Sequence, residues 1–394
     1  MGKIIILGAG ASYGNGICEL YTNISKPPLI SNFFNSKEFD NIEQQYSPLI
    51  NYIAQLSELQ FGKENKINVE TIFADIEGSW NLDLYDDWEE ISNVFGDSFI
   101  CSSPVDWLRS LVNDIIFSTT TWLNNWTCPY HDKLVEKAIE EDDVIISFNY
   151  DLIADCSLKK SKMWHETTGY GFNKKLVRKK QENLEDSIIK LFKPHGSLNW
   201  FKSHFLQEKN SIIKNYSGNK DNQLEKVHCI EILSLNETMQ GNTFSVEKKN
   251  SNLGQVPRNI ELFLKLASNV EKGSLEYIQL VAGFSKNMTD SGFLPLIVVP
   301  TPNKSYDEMK FGELKSVWRE IKEKIDLCDE IISIGFSFQD KHFNQILSES
   351  AITRTNVLKI TSYCPIKEFN SPFKTKKINF KNEDMSFRKF VESI

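Results

Sequence analysis

The stretch Lys3-Ile4-Ile5-Ile6-Leu7-Gly8-Ala9-Gly10-Ala11-Ser12 decides the fold class. A short, continuous, β-branched apolar run reads as a strand buried on both faces, as in a parallel sheet covered by helices. Glycines follow at once, and Gly14 and Gly16 stand close behind. A strand, a glycine-rich turn and a helix together form a natural anion site. Glycine lets the backbone approach a pyrophosphate, and helix N-terminal N–H groups point at it. The same loop also fits a tight turn that needs glycine. The pattern departs from G-x-G-x-x-G, because Tyr13 occupies the last position. An ordinary dehydrogenase also places an acid against the ribose at the end of a second strand about 20 residues on, and none stands there.

Working outward, six further apolar runs read as strands: 143–148, 188–192, 228–233, 294–299, 330–336 and 357–361. With the first run they predict an α/β, Rossmann-like sheet of parallel strands flanked by helices, spread over residues 1–394. The gap between the first two strands far exceeds one crossover helix. Residues 31–140 are therefore expected to form a large, mainly helical insertion packed beside the sheet. Within it, Trp107, Leu108, Leu111, Ile115 and Trp122 fall at helical spacing behind Pro104, a natural first helical residue. The lysine-rich segment 159–187 reads as a solvated loop or hairpin. Residues 205–290 read as a second insertion containing a helix at 257–268. The tail from residue 366 has no clear pattern.

Composition excludes several classes. Acidic residues number 53 against 45 basic ones, a net charge of −8, with 40% apolar residues and 25% charged. That is an ordinary globular balance and argues against a basic nucleic-acid coat, so no direct nucleic-acid binding is expected. No run approaches the roughly 18 apolar residues that cross a bilayer, so no membrane association is expected and a cytoplasmic setting is the default. The seven cysteines are scattered and contain no C-x-x-C pair. Cys128-Pro-Tyr-His131 has a metal-like spacing, but no second pair completes a site, and no metal is expected.

Polar residues gather where predicted strands end. Asn149 and Asp151 follow the second strand, two apart, and face one way if the extended geometry continues. An amide there can hold a ribose hydroxyl or a water. Asp151 also fits a helix cap before Leu152. His195 sits between Pro194 and Gly196 in Lys193-Pro-His-Gly-Ser-Leu-Asn-Trp200, after another apolar run. Histidine exchanges a proton near neutral pH, as a general base requires, though a turn histidine bonded to backbone fits as well. Gly335 and Ser337 in Ile334-Gly-Phe-Ser-Phe338 end a further strand; Ser337 or Asp340 fits the cap of a following helix.

In order, the motifs read GAGAS, FNYD, PHGSLNW and IGFSF. This set resembles the bacterial sirtuin-like NAD+ hydrolase domains of antiphage defence systems. The resemblance implies that Gly8, Ala9, Gly10 and Ser12 receive the NAD+ phosphates. It implies that Asn149 and Asp151 serve the ribose and nicotinamide, that His195 is the base, and that Gly335 and Ser337 contact the adenosine side. It implies an NAD+ glycohydrolase that depletes NAD+ in abortive infection, held in check by homo-oligomerisation or by a partner such as a HerA-type ATPase. Deacylating sirtuins usually carry a C-x-x-C zinc ribbon after the histidine, which this chain lacks. That ranks an NAD+-dependent protein deacylase below hydrolysis. A non-catalytic NAD+ or ADP-ribose sensor is the remaining alternative.

Overall fold

The computed structural model describes residues 2–13, 128–172, 187–208, 224–232, 235, 295–298, 312–366 and 371–394. Six parallel strands form the main sheet: β1 (Ile4–Leu7), β2 (Val144–Ser147), β3 (Lys190–Phe192), β7 (Glu330–Ile334), β8 (Leu358–Tyr363) and β9 (Ile378–Glu383). Their spatial order is β3-β2-β1-β7-β8-β9. The chain winds outward from β1 to β3, then resumes on the other side of β1 with β7. This is the doubly wound, Rossmann-like arrangement, and its direction reverses between β1 and β7. Ligands of such sheets bind outside the carboxyl ends of the strands at that reversal.

The central strands form because their residues are apolar on both faces. All of β1 and all of β2 is buried, which requires cover above and below. Helices supply that cover in two packed groups. One holds α2 (Pro129–Ala138), α3 (Ile153–Ser161) and the C-terminal α6 (Phe387–Ser393). The other holds α4 (Gly312–Leu327) and α5 (Lys341–Thr353). Helix α4 turns Leu314, Val317, Trp318, Ile321 and Ile325 inward, a helical stripe. Pro129 starts α2 as its first residue.

A second sheet departs from the expectation of one parallel sheet. Strands β4 (Gly196–Glu208), β5 (Leu224–Ile232) and β6 (Pro295–Ile297) pair antiparallel in the order β5-β4-β6. The runs 228–233 and 294–299 thus contribute to this smaller sheet and not to the parallel one. Leu296, Ile297 and Val298 are buried; a short strand enclosed on both faces has the same apolar run whichever direction it pairs. The run 188–192 is trimmed to three residues, and Ile188 is exposed. Of the 31–140 insertion only 128–140 is described, and there α2 is helical as expected. The helices expected at 104–126 and 257–268 lie outside the described residues. Part of the segment expected as a loop, 159–172, carries the end of α3 and turns that bring Tyr170 beside Leu191 of β3.

Candidate active site

The rim begins where β1 meets β7. The Gly8 N–H donates to Ile334 O at 3.0 Å, and the Gly10 N–H donates to Gly335 O at 2.9 Å. Backbone therefore lies directly on backbone. A Cβ at Gly8 would stand 2.5 Å from Gly335 O, and one at Gly10 would stand 2.8 Å from Gly335 Cα. Gly335 itself adopts φ +63°, in the left-handed region that favours glycine. The first and last sequence motifs thus need each other's glycines. Gly8, Gly10 and Ala11 all donate their N–H groups inside the protein. What the loop could offer a ligand is close approach and its other amides, with Ala9 exposed at its tip. The short helix α1 (Ala9–Tyr13) carries Ser12 inward.

Beyond β2, alternate residues take opposite sides. Asn149 and Asp151 both reach Ser12. The Asn149 Nδ2 donates to Gly8 O at 2.9 Å and to Ser12 Oγ at 2.8 Å. Ser12 Oγ in turn donates to Asp151 Oδ2 at 2.6 Å. A backbone carbonyl only accepts, so the Gly8 contact fixes which end of the amide is nitrogen. With both N–H bonds engaged, the amide has its Oδ1 to offer a ligand. Asp151 also accepts the N–H of Ile153, the first residue of α3, through Oδ1 at 3.0 Å, while the cap position itself falls to Leu152, one residue later than expected, so this one carboxylate holds both Ser12 and the start of α3. Burial pushes the Asp151 carboxyl above the ordinary carboxylate range. The Lys193 ammonium and the hydrogen bonds from Ser12 and Ile153 oppose that shift.

Lys193 holds this turn from behind. Its side chain is fully buried. The ammonium donates to Asp151 O at 2.5 Å, to Tyr150 O at 3.4 Å and to Asp155 Oδ2 at 3.1 Å. Asp155 also accepts from the Tyr170 hydroxyl, which takes a bond from Asn199 Nδ2. Burial, with the Asp155 charge beside it, drives the Tyr170 phenol well above its usual range. One cation thus ties the Asn149–Asp151 turn to the segment that carries His195.

His195 lies on the other side of that turn. Its ring packs edge-on to Phe148, with centroids 5.0 Å apart, and lies 6.3 Å from the ring of Tyr150. These residues flank Asn149. The His195 Nε2 meets Asp340 Oδ2 at 2.9 Å. Asp340 caps α5, accepting the Phe343 N–H through Oδ1 at 3.0 Å. Phe148 also stacks on Phe336 and meets Phe343, building an aromatic wall behind the imidazole.

Gly8, Ala9, Gly10, Ser12, Asn149, Asp151, His195, Gly335 and Ser337 therefore all lie on the carboxyl-end rim of the parallel sheet. Hydrogen bonds join Asn149, Asp151, Ser12 and Gly8 directly. His195 and Asp340 form a separate pair. Ser337 is half-buried just past β7. Sequence reasoning gave no role to Lys193, although a lysine directly before Pro-His-Gly was in view, and read Asp340 only as a cap. The Cys128–His131 spacing resolves into a local contact. The His131 Nδ1 lies 3.1 Å from Cys128 Sγ, and the ring sits against Phe387. Burial lowers His131 to about 3 and pushes the Cys128 thiol up to about 12. Among the described residues no group of three or more His, Cys, Asp or Glu side chains could hold a metal ion, and no helix is long and apolar enough to cross a membrane. No protein-family model matches the chain, and no curated protein matches it.

Proposed function

We propose that the chain is an NAD+ glycohydrolase that converts NAD+ and water to ADP-ribose, nicotinamide and a proton. The observation that carries this reading is the anchored amide of Asn149, fixed by Gly8 and Ser12 at the crevice where the winding reverses. The nicotinamide–ribose bond breaks through a cation-like transition state at the anomeric carbon. The nicotinamide nitrogen keeps the bonding electron pair and leaves neutral. Asn149 Oδ1 presents a partial negative charge that stabilises the cation or orients the attacking water, and it needs no reorganisation because its nitrogen is already held. His195 takes the proton that the water loses and returns it to solvent. The glycine contact between β1 and β7 accepts the pyrophosphate at close range, with Gly335 and Ser337 toward the adenosine side. Asp151 holds Ser12, and through it the amide.

The resemblance in the motif order extends the proposal to a role in antiphage defence. There NAD+ loss is restrained by self-assembly or by a partner such as a HerA-type ATPase.

Nicotinamide release from the purified chain, alone and with its genomic neighbour, tests the chemistry. Asn149→Ala is expected to lose roughly 10²–10³-fold in rate, the usual loss on removing a preorganised polar group. His195→Ala is expected to lose about 10²–10⁴-fold. Either variant releasing nicotinamide at the parental rate removes its residue from the mechanism. Binding of ADP-ribose without any release, with the neighbour present, would replace hydrolysis with sensing.

A further inference from the structure

We infer that Asp340 is the positioning residue for His195, fixing its proton on Nε2 so that Nδ1 is the nitrogen that acts as base. The inference rests on the reading of His195 as the general base and adds a residue and an atom to it. Three observations carry it. The Asp340 carboxylate stands 2.9 Å from Nε2, and both side chains are buried. A carboxylate accepts and does not donate, so the ring nitrogen facing it bears hydrogen. The carboxylate is itself immobilised, because its second oxygen accepts the Phe343 N–H at the start of α5. A helix N-terminus favours negative charge at that position.

The ring packs perpendicular to Phe148, and the backbone that carries it is pinned by the Val298 N–H, which donates to His195 O at 2.7 Å. The groups around the imidazole come from four elements. Asp340 approaches from α5, and Phe148 and Tyr150 from the exit of β2. Val298 approaches from the end of β6, where its carbonyl takes the Tyr150 hydroxyl at 2.6 Å. Lys193, on the His195 segment itself, turns its ammonium to Asp155 and the carbonyls of the β2 exit. Among the described residues Asp340 is thus the anion in contact with the ring. It pairs with the imidazolium that forms when His195 takes a proton, as orienting carboxylates do for catalytic histidines elsewhere.

A cap alone would predict something different, and Asp340→Asn separates the two roles. Asparagine caps helices as well as aspartate does, but carries no charge and does not hold one tautomer. The variant is expected to melt with the parent while kcat falls at least tenfold and KM for NAD+ changes less than threefold. The acidic limb of the kcat profile is expected to move to lower pH, because the imidazolium has lost its anion. Adding Asp340→Asn to His195→Ala is expected to lower the rate no further, since the two act as a unit. Parental kcat and an unmoved profile in Asp340→Asn, with His195→Ala inactive, overturn this inference and leave the hydrolase reading standing. A fully active His195→Ala overturns the base assignment and this inference with it. Nitrogen-15 NMR of the histidine rings in the full-length parent reads the tautomer without any variant. Hydrogen on Nε2 of His195 supports the inference, and hydrogen on Nδ1 overturns it.

Discussion

Replacing Lys193 with methionine should cost more stability than its one lost charge suggests. Methionine matches the length and apolar stem of lysine, so packing is largely kept. What disappears is the ammonium, which meets Asp155 Oδ2 at 3.1 Å and Asp151 O at 2.5 Å. Side-chain exposure is 0% for Lys193 and 1% for Asp155, so water cannot replace the lost donor. Breaking one side of a buried pair typically costs about 3–5 kcal/mol, because the remaining charge stays buried. Taking about 4 kcal/mol, the folding equilibrium drops roughly a thousandfold. The assay is urea unfolding at pH 7, followed by tryptophan fluorescence, for Lys193→Met, Asp155→Asn and the double variant. The double variant should recover much of the loss, since it leaves no unpaired charge. A loss below about 1 kcal/mol for Lys193→Met, or strictly additive single effects, would refute the buried pair. The same variant should slow nicotinamide release, because the ammonium holds the carbonyls of Tyr150 and Asp151, the two residues that follow Asn149.

Two further outcomes follow from local geometry. In Gly335→Ala the new Cβ would stand 2.4 Å from Ala11 N at a φ of +63°. The left-handed backbone costs about 1–2 kcal/mol and the overpacking about 1–3 kcal/mol; a variant that melts with the parent and binds ADP-ribose equally well by calorimetry would disprove the contact. His131 is neutral in the fold, with its pKa lowered from 6.5 to about 3 by burial, so the unfolded chain binds more protons between those values. Stability should therefore fall as pH drops below 6.5, by up to about 1.4 kcal/mol per unit from this group. His131→Leu should flatten that part of the curve, and parallel parent and variant curves in urea titrations at pH 7, 6 and 5 would exclude the effect.

Legibility in the sequence tracks burial. Strands β1, β2 and β7 lie at the centre of the sheet, and their uninterrupted apolar runs stand out. Strand β9 is at the edge, where only Ile378 is buried and Asn379 and Lys381 are exposed, so it has no run to recognise. Strand β4 mixes polar and aromatic residues, so in sequence its start reads as a turn and its end as part of the 205–290 insertion. At the site, residues next to strand ends were legible because parallel sheets place ligands there. Lys193 was not, since a lysine is ordinarily a surface residue and only its partners reveal otherwise. Asp340 was half legible. Its capping bond is local, whereas its bond to His195 joins residues 145 apart in the chain.

The exit of β2 explains how one short segment serves two polar groups. Side chains of an extended backbone alternate, so Phe148 and Tyr150 turn to His195 while Asn149 and Asp151 turn to Ser12. Neither set could shift by one residue without exchanging an aromatic for a carboxylate or an amide. Three anchors hold the alternation in phase: Phe148 N–H on Leu7 O at 2.9 Å, Leu198 N–H on Tyr150 O at 3.1 Å, and the Lys193 ammonium beneath. The first ties the segment to β1, the second to β4, and the third to the residues just before His195. The amide and the imidazole are thus set by one stretch of backbone pinned from three directions. The placement of each then depends on no single loop.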